Sequence, residues 1–236
     1  LVLAFSDNDD GLPGDDGDES NDIYHPGNAA YITGNVTGNT GDEWSYAGWS
    51  LLIIYASPQT RGHQLYLYDD FIYSGMDSNV DFDHDGQKGG TISGFLVPDP
   101  TVGENISAKI TCFVGEGDNC YPGDFFAFNA PESYRSYANN DSRWNPYKLW
   151  DGTTSNQNSS SNPNNVWNGK SLGMSADGVD IDTFYVTWAS GRLQPGDTSA
   201  RIDLPTQTDS WNLVYIILSF RSATTTGGTV TYLIVQ

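Results

Sequence analysis

The segment Leu213-Val-Tyr-Ile-Ile-Leu-Ser-Phe220 decides the fold class of this chain. Its apolar residues run on without alternating with polar ones, and most of them are β-branched or aromatic. A short run of this kind is typical of a strand that is covered on both faces. The run Ser50–Ala56 (SLLIIYA) has the same character. The sequence therefore predicts two central strands.

Shorter β-branched and aromatic runs recur between Gly, Pro, Asp and Asn turns from residue 29 onward. This punctuation predicts an all-β fold of about ten strands, arranged as a β-sandwich or jelly roll. The other predicted strands are Ala30–Val36, Gln64–Tyr73, Thr91–Val97, Ile106–Val114, Phe125–Phe128, Asp182–Trp188, Ala200–Leu204 and Thr229–Val235.

The predicted strand Gln64–Tyr73 alternates in character, which distinguishes it from the two central ones. Leu65 and Leu67 lie on one face, and Tyr66 and Tyr68 lie on the other. We expect the leucine face to pack on the core and the tyrosine face to form an aromatic surface.

The domain organisation follows from a change in composition near residue 28. Residues 6–22 are acidic, rich in glycine and free of aromatic residues, as solvated linkers usually are. We therefore predict an acidic N-terminal segment or linker over residues 1–28 and one β-sandwich domain over residues 29–236.

The charge of the chain limits its partners. The net charge is −20, and the acid is 25 Asp against 5 Glu, with only 10 Lys and Arg. A phosphate backbone or an anionic membrane surface would be repelled, so nucleic-acid binding is excluded as a function class. No stretch approaches the roughly 20 apolar residues of a membrane span, so we expect no direct span in this chain.

The motif Asp81-Phe-Asp83-His-Asp85-Gly86 matches the first half of a calcium loop. Carboxylates two residues apart in a tight turn can converge on one hard cation, and glycine permits the sharp bend. The backbone carbonyl of Gln87 would supply the next ligand. The sequence thus predicts calcium bound by Asp81, Asp83, Asp85 and Gln87; the alternative is a solvated acidic turn.

The motif is not an EF-hand. Its twelfth position is Ile92, where an EF-hand has a bidentate Glu, and no helices flank it. We expect water, Asp77 or Asp70 to complete the ligand set, with weak affinity of about 10⁻⁴ to 10⁻³ M.

Two further patterns favour an extracellular location. Cys112 and Cys120 are close in sequence, and we predict a disulfide between them, with two buried free thiols as the alternative. Glycosylation sequons occur at Asn35, Asn105, Asn140 and Asn158.

Residues 139–170 form a long Asn/Ser-rich segment that contains Trp144, Trp150 and Trp167. A loop of this length is usually functional or flexible. The tryptophans either pin the loop to the domain or form an exposed platform that stacks on a glycan.

Catalytic patterns are missing from the sequence. The three histidines, His25, His63 and His84, are not part of a GxSxG, HExxH or Walker motif. With 30 acidic residues, some pair of carboxylates always looks suited to glycoside hydrolysis, so such a pair carries no weight. We predict that the protein is not an enzyme.

An ordered set of blocks resembles a known family. The blocks are DEWSYAGWSLLIIYASP, LYLYDDF, TISGFLVP, VGEGDNCYPGD, NNVWN, DGVDIDTFYV and LQPGDTSARIDL. Together they span about residues 44–204 and resemble a domain of unknown function in large secreted and surface-anchored proteins of bacteria and archaea. The resemblance implies a β-rich, non-catalytic surface module. The family's "DGF" is Asp69-Asp70-Phe71 here, and the loop at Asp81–Gly86 looks like a local insertion.

Two functions follow as expectations. The first is a non-enzymatic structural module of a cell-surface filament, layer or adhesin stalk, stabilised by calcium. In that case the apolar segment Leu1–Phe5 (Leu1, Val2, Leu3, Ala4 and Phe5) can add as a strand to a neighbouring subunit, or pair within its own domain. The second is a calcium-dependent glycan-binding module.

Overall fold

The computed structural model describes residues 50, 52, 54, 62–115, 117, 120–149, 164–167 and 179–221. Contacts within the chain divide it into two compact units, Leu1–Gln59 and Thr60–Gln236. Nearly all described residues belong to the second unit. The predicted boundary at residue 28 lies outside the described residues.

The regular secondary structure of the described residues is mostly strand, in two antiparallel sheets, which confirms the all-β prediction. The strands are β1 (His63–Ser74), β2 (Gly90–Ser93), β3 (Ile106–Gly115), β4 (Ala127–Phe128), β5 (Val179–Thr187), β6 (Ser199–Asp203) and β7 (Trp211–Arg221). One sheet has the order β1-β7-β3-β5, and the other has the order β2-β6-β4. The helical elements in these residues are short 3₁₀ helices at Glu132–Ser136, Ser142–Tyr147 and Trp188–Ser190.

β7 lies between β1 and β3, as its continuous apolar run predicted. Phe220, Leu218 and Ile216 are fully buried on its inner face, and the residues between them are half-buried on the outer face. The second predicted central strand, Ser50–Ala56, falls mostly outside the described residues. Its described members, Ser50, Leu52 and Ile54, are not in a strand.

The expected orientation of β1 is wrong. Tyr66 is buried and packs edge-on against Phe95 and Phe220, whereas Leu65 and Leu67 are half-buried on the opposite face. The tyrosine ring buries more apolar area than leucine, and its hydroxyl donates to Gln64 Oε1 at 2.9 Å. Alternation in β1 therefore identified the strand but not the face that joins the core.

Both sheets contribute to one hydrophobic core. Ile110 and Phe184 of the four-stranded sheet belong to the same cluster as Ile202 and Phe128 of the three-stranded sheet. A smaller cluster joins Phe125, Ala127, Ala130 and Trp144. No helix among the described residues is long and apolar enough to span a membrane.

The predicted disulfide between Cys112 and Cys120 is wrong, because both thiols are free. Cys112 is fully buried in β3, opposite Ile216 of β7, whereas Cys120 is exposed beyond the end of β3. A strand rises about 3.4 Å per residue, so the chain has moved roughly 10 Å from Cys112 by the end of β3. The Cα atoms of a disulfide normally lie within about 7 Å.

Truncating the centre of β7 should destabilise the fold. Leu218 is fully buried between Tyr66 of β1 and Ile110 of β3. We expect Leu218→Ala to lower the free energy of unfolding by about 2–5 kcal/mol, measured by urea denaturation. The neighbouring Ser219→Ala changes the other face of the same strand and should cost about 0.5 kcal/mol or less. Equal losses for the two variants would contradict this account of β7.

Candidate cation site

Residues 75–89 connect β1 to β2 and are fixed to β6 by one buried side chain. Asn79 Nδ2 donates to Asp203 Oδ1 at 3.0 Å, and the backbone N–H of Leu204 donates to Asn79 Oδ1 at 3.0 Å. Asp203 is fully buried, and the guanidinium of Arg201 pairs with it. The loop is therefore anchored to the core before it reaches its acidic residues.

The loop brings the three predicted carboxylates together. Asp81, Asp83 and Asp85 each offer an oxygen atom, and these atoms all lie within 4.8 Å of one another. Like charges this close repel, so a bound cation would relieve the repulsion. Oxygen ligands in this arrangement suit a hard divalent ion such as calcium.

Hydrogen bonds to the carboxylates hold the turn in shape. Asp81 accepts the backbone N–H groups of Asp85 at 3.1 Å and Gly86 at 2.9 Å. Gly86 has a φ of +81°, which glycine adopts without strain. Asp85 accepts the N–H of Gln87 at 2.8 Å. Each carboxylate keeps further acceptor capacity, because one oxygen can accept more than one bond.

Asp83 has the most restricted surroundings of the three. Its Oδ2 accepts the backbone N–H of Thr91 at 2.6 Å, which ties the loop to the start of β2. Its Oδ1 is buried and has no hydrogen-bond partner. An oxygen in this situation is a ready ligand for a cation, because it has already lost contact with water.

Charged neighbours limit the ligand set. Arg135 Nη1 lies 3.4 Å from Asp85 Oδ2 and partly neutralises it. Asp70, one of the suggested extra ligands, is bonded instead to His84, with 2.7 Å between Asp70 Oδ2 and His84 Nε2. This hydrogen bond raises the pKa of the exposed His84. The backbone N–H of Asp77 donates to Gln207 O at 3.0 Å, and this bond fixes the position of Asp77.

A cavity of about 170 Å³ adjoins the loop. It lies between β1, β2 and β7, and a bulge in β1 between Asp69 and Ile72 shapes one side of it. Aromatic rings and polar groups line it together. The rings are those of Tyr68, Phe82 and Tyr215, and the polar groups include Asp69, Asp70, Asp83 and His84. Asp83 therefore belongs to both the cation site and the cavity.

The sequence did not predict this cavity, because its walls come from four separate segments. The only local signal was the pair Asp69-Asp70 inside an otherwise alternating strand. Acidic residues in a strand interior are unusual and indicate an edge, a bulge or a site.

The predicted glycan platform is wrong for two of its three residues. Trp144 and Trp167 are fully buried, so their rings cannot stack on a sugar. Trp144 packs on Phe125 and Tyr134, and Trp167 packs on Phe184 and Trp211. They pin their segment to the domain, which was the first of the two roles that the sequence allowed for them. Trp150 lies outside the described residues.

The remaining predicted sites have mixed outcomes. Asn105 and Asn140 are exposed, as glycosylated residues must be. Asn35, Asn158 and the segment Leu1–Phe5 lie outside the described residues.

Comparison of the chain with protein-family models, curated proteins and solved structures found no match. The family resemblance noted from the sequence therefore stays a prediction.

Two glycines of the loop provide a matched test of its packing. Gly86 and Gly89 both have positive φ, but an added Cβ at Gly86 meets nothing within 4 Å. At Gly89 it would lie 2.3 Å from Asp203 Oδ1 and 2.9 Å from the carbonyl oxygen of Ile202.

We expect Gly86→Ala to cost about 1–2 kcal/mol through backbone strain alone. Gly89→Ala should cost about 3–5 kcal/mol, because it also disrupts the buried pair of Asp203 and Arg201. Thermal unfolding of the two variants measures the difference. Similar losses would show that the loop is not packed against Asp203.

Proposed function

We propose that this chain is a non-enzymatic, extracellular structural module of a cell-surface assembly, stabilised by calcium in the loop Asp81–Gly86. The observation that carries the proposal is the convergence of three carboxylates within 4.8 Å in a loop anchored to the core. The assembly would be a filament, a layer or an adhesin stalk. The fold proposed for it is a β-sandwich of about ten strands, and the core shared by the two sheets supports the sandwich.

The affinity for calcium should be low. Ile92, at the twelfth position of the motif, is buried in the core and cannot supply the carboxylate that completes an EF-hand. Three carboxylates, the Gln87 carbonyl and water then make up the ligand set. Such sites suit the calcium-rich extracellular medium, where affinities of about 10⁻⁴ to 10⁻³ M are sufficient.

The edge of the four-stranded sheet supports the assembly role. Within the described residues β1 pairs only with β7, so no described strand occupies its other edge, where a strand can be added. Phe71 and Tyr73 near its end are 71% and 65% exposed, which is unusual for large rings. A short apolar strand such as Leu1–Phe5 of a neighbouring subunit would satisfy the free backbone groups and cover the rings.

Calcium should stabilise the chain through Asp83. At 10 mM calcium we expect an increase of about 1–3 kcal/mol in the free energy of unfolding, from mass action at the affinity above. Asp83→Asn should remove most of this increase. Asp99→Asn is the control: it removes an equal charge at an exposed residue outside the loop and should leave the increase unchanged. Chemical denaturation with calcium or chelator measures both. Equal calcium responses of the two variants would contradict a site in the loop.

Removing residues 1–5 should abolish assembly. Electron microscopy of the full chain should show filaments or layers, and the truncated chain should remain monomeric because the donor strand is gone. Deletion of Asp7–Gly11 removes five linker residues without apolar side chains and serves as the control. Monomers in all three preparations would refute the assembly role.

The second candidate is a calcium-dependent glycan-binding module, and the cavity beside the loop favours it. Tyr68, Phe82 and Tyr215 offer ring faces for stacking, and Asp69 and Asp70 offer acceptors for sugar hydroxyls. At about 170 Å³ the cavity is smaller than typical ligand sites of roughly 300–1,000 Å³ and has room for a single sugar ring.

A glycan array, run with calcium and with chelator, tests this candidate. Binding should require calcium and should be lost in Tyr215→Ala, while Tyr121→Ala, which changes a ring 48% exposed outside the cavity, should bind normally. The absence of any bound sugar would eliminate the glycan function.

A further inference from the structure

Three of the buried aspartates outside the loop lie far apart in sequence and belong to no motif. Asp124 lies between β3 and β4, Asp180 is in β5, and Asp209 precedes β7. Their exposed fractions are 0%, 0% and 4%. Aspartate is rarely buried unless its charge is compensated, so a group of buried acidic side chains needs an explanation.

Both oxygens of the Asp124 carboxylate are buried, and neither makes a hydrogen bond of good geometry. Its backbone is firmly held, since it forms a bridge with Asn165, and its carbonyl accepts the N–H of Val166 at 3.1 Å. The ion pairs among the described residues do not include Asp124. A rigid backbone thus holds a buried acidic group in place, and no cationic side chain among the described residues pairs with it.

The groups nearest to Asp124 are themselves oxygen ligands. The pKa of Asp124 is raised to about 8, mainly by burial and also by the nearby carboxylates of Asp209 and Asp180. A hydrogen bond with the hydroxyl of Thr206 acts in the opposite direction. Asp124 therefore points into a group of oxygen atoms from three separate segments of the chain.

The backbone also comes close to this group. A Cβ atom on Gly117 would lie 2.3 Å from Asp180 Oδ2 and 2.9 Å from the carbonyl oxygen of Trp167. Only glycine allows the chain to pass this near to a carboxylate. The main-chain carbonyl of Trp167 therefore lies in the same region as the buried carboxylates.

We propose that Asp124 and Asp209 are direct ligands of a second calcium ion, buried and independent of the loop Asp81–Gly86. Hard cations take six to eight oxygen ligands, including carboxylates, carbonyls and water. The three aspartates are not a group whose oxygens all lie within 4.8 Å of one another, so we assign direct contact with the ion to two of them. A cation would neutralise a carboxylate that is fully buried and that pairs with no cationic side chain among the described residues.

The test counts calcium ions per folded chain by equilibrium dialysis and native mass spectrometry. We expect two in the wild type, one in Asp83→Asn, which removes the loop site, and none when Asp124→Asn is added to that variant. Asp99→Asn keeps two. Asp209→Asn in the Asp83→Asn background should also lose the remaining ion.

The outcomes separate this proposal from the proposed function of the loop. If the wild type holds one ion and Asp83→Asn holds none, the buried site is refuted and the loop site stands. If the wild type and Asp83→Asn each hold one calcium ion, the loop site is refuted and the buried site stands. Neither comparison requires a change at Asp124, so the result does not depend on whether Asp124→Asn folds. A folded Asp124→Asn chain that keeps the same number of ions would show that Asp124 retains a proton instead.

Discussion

The position of the acidic loop depends on the buried carboxylate of Asp203. Arg201 neutralises this group, Asn79 donates to it, and Gly89 passes so close that no side chain fits there. Burial raises the pKa of Asp203, while the bonds from Asn79 and Arg201 favour its charged form. A carboxylate on β6 thus contacts the loop near both of its ends, at Asn79 and at Gly89.

The fold was predictable to the extent that it depends on local pattern. The continuous apolar run Leu213–Phe220 indicated a central strand, and the alternation near Gln64 indicated another strand. What the pattern did not give was the face of β1 that joins the core. Tyr66 goes inward because Phe95 and Phe220 form an aromatic pocket for it, and those partners are distant in sequence.

The candidate sites were likewise predictable only where they depend on local spacing. Asp81, Asp83 and Asp85 converge because of spacing within six residues, so their arrangement follows from the sequence. The cavity and the buried group around Asp124 need tertiary contacts between segments far apart, and no spacing reveals them. The sequence left two roles open for Trp144 and Trp167, and only their burial in the folded chain decides that they pin their segment to the domain.

The two free thiols differ in their reactivity toward oxidants and alkylating reagents. Burial raises the pKa of Cys112 well above its usual range, so this sulfur stays protonated and unreactive inside β3. Cys120 is exposed and forms no bond within the chain. A maleimide dye would therefore attach at one defined position in the folded protein. The appearance of a second labelled site would then report the opening of the sheet around β3.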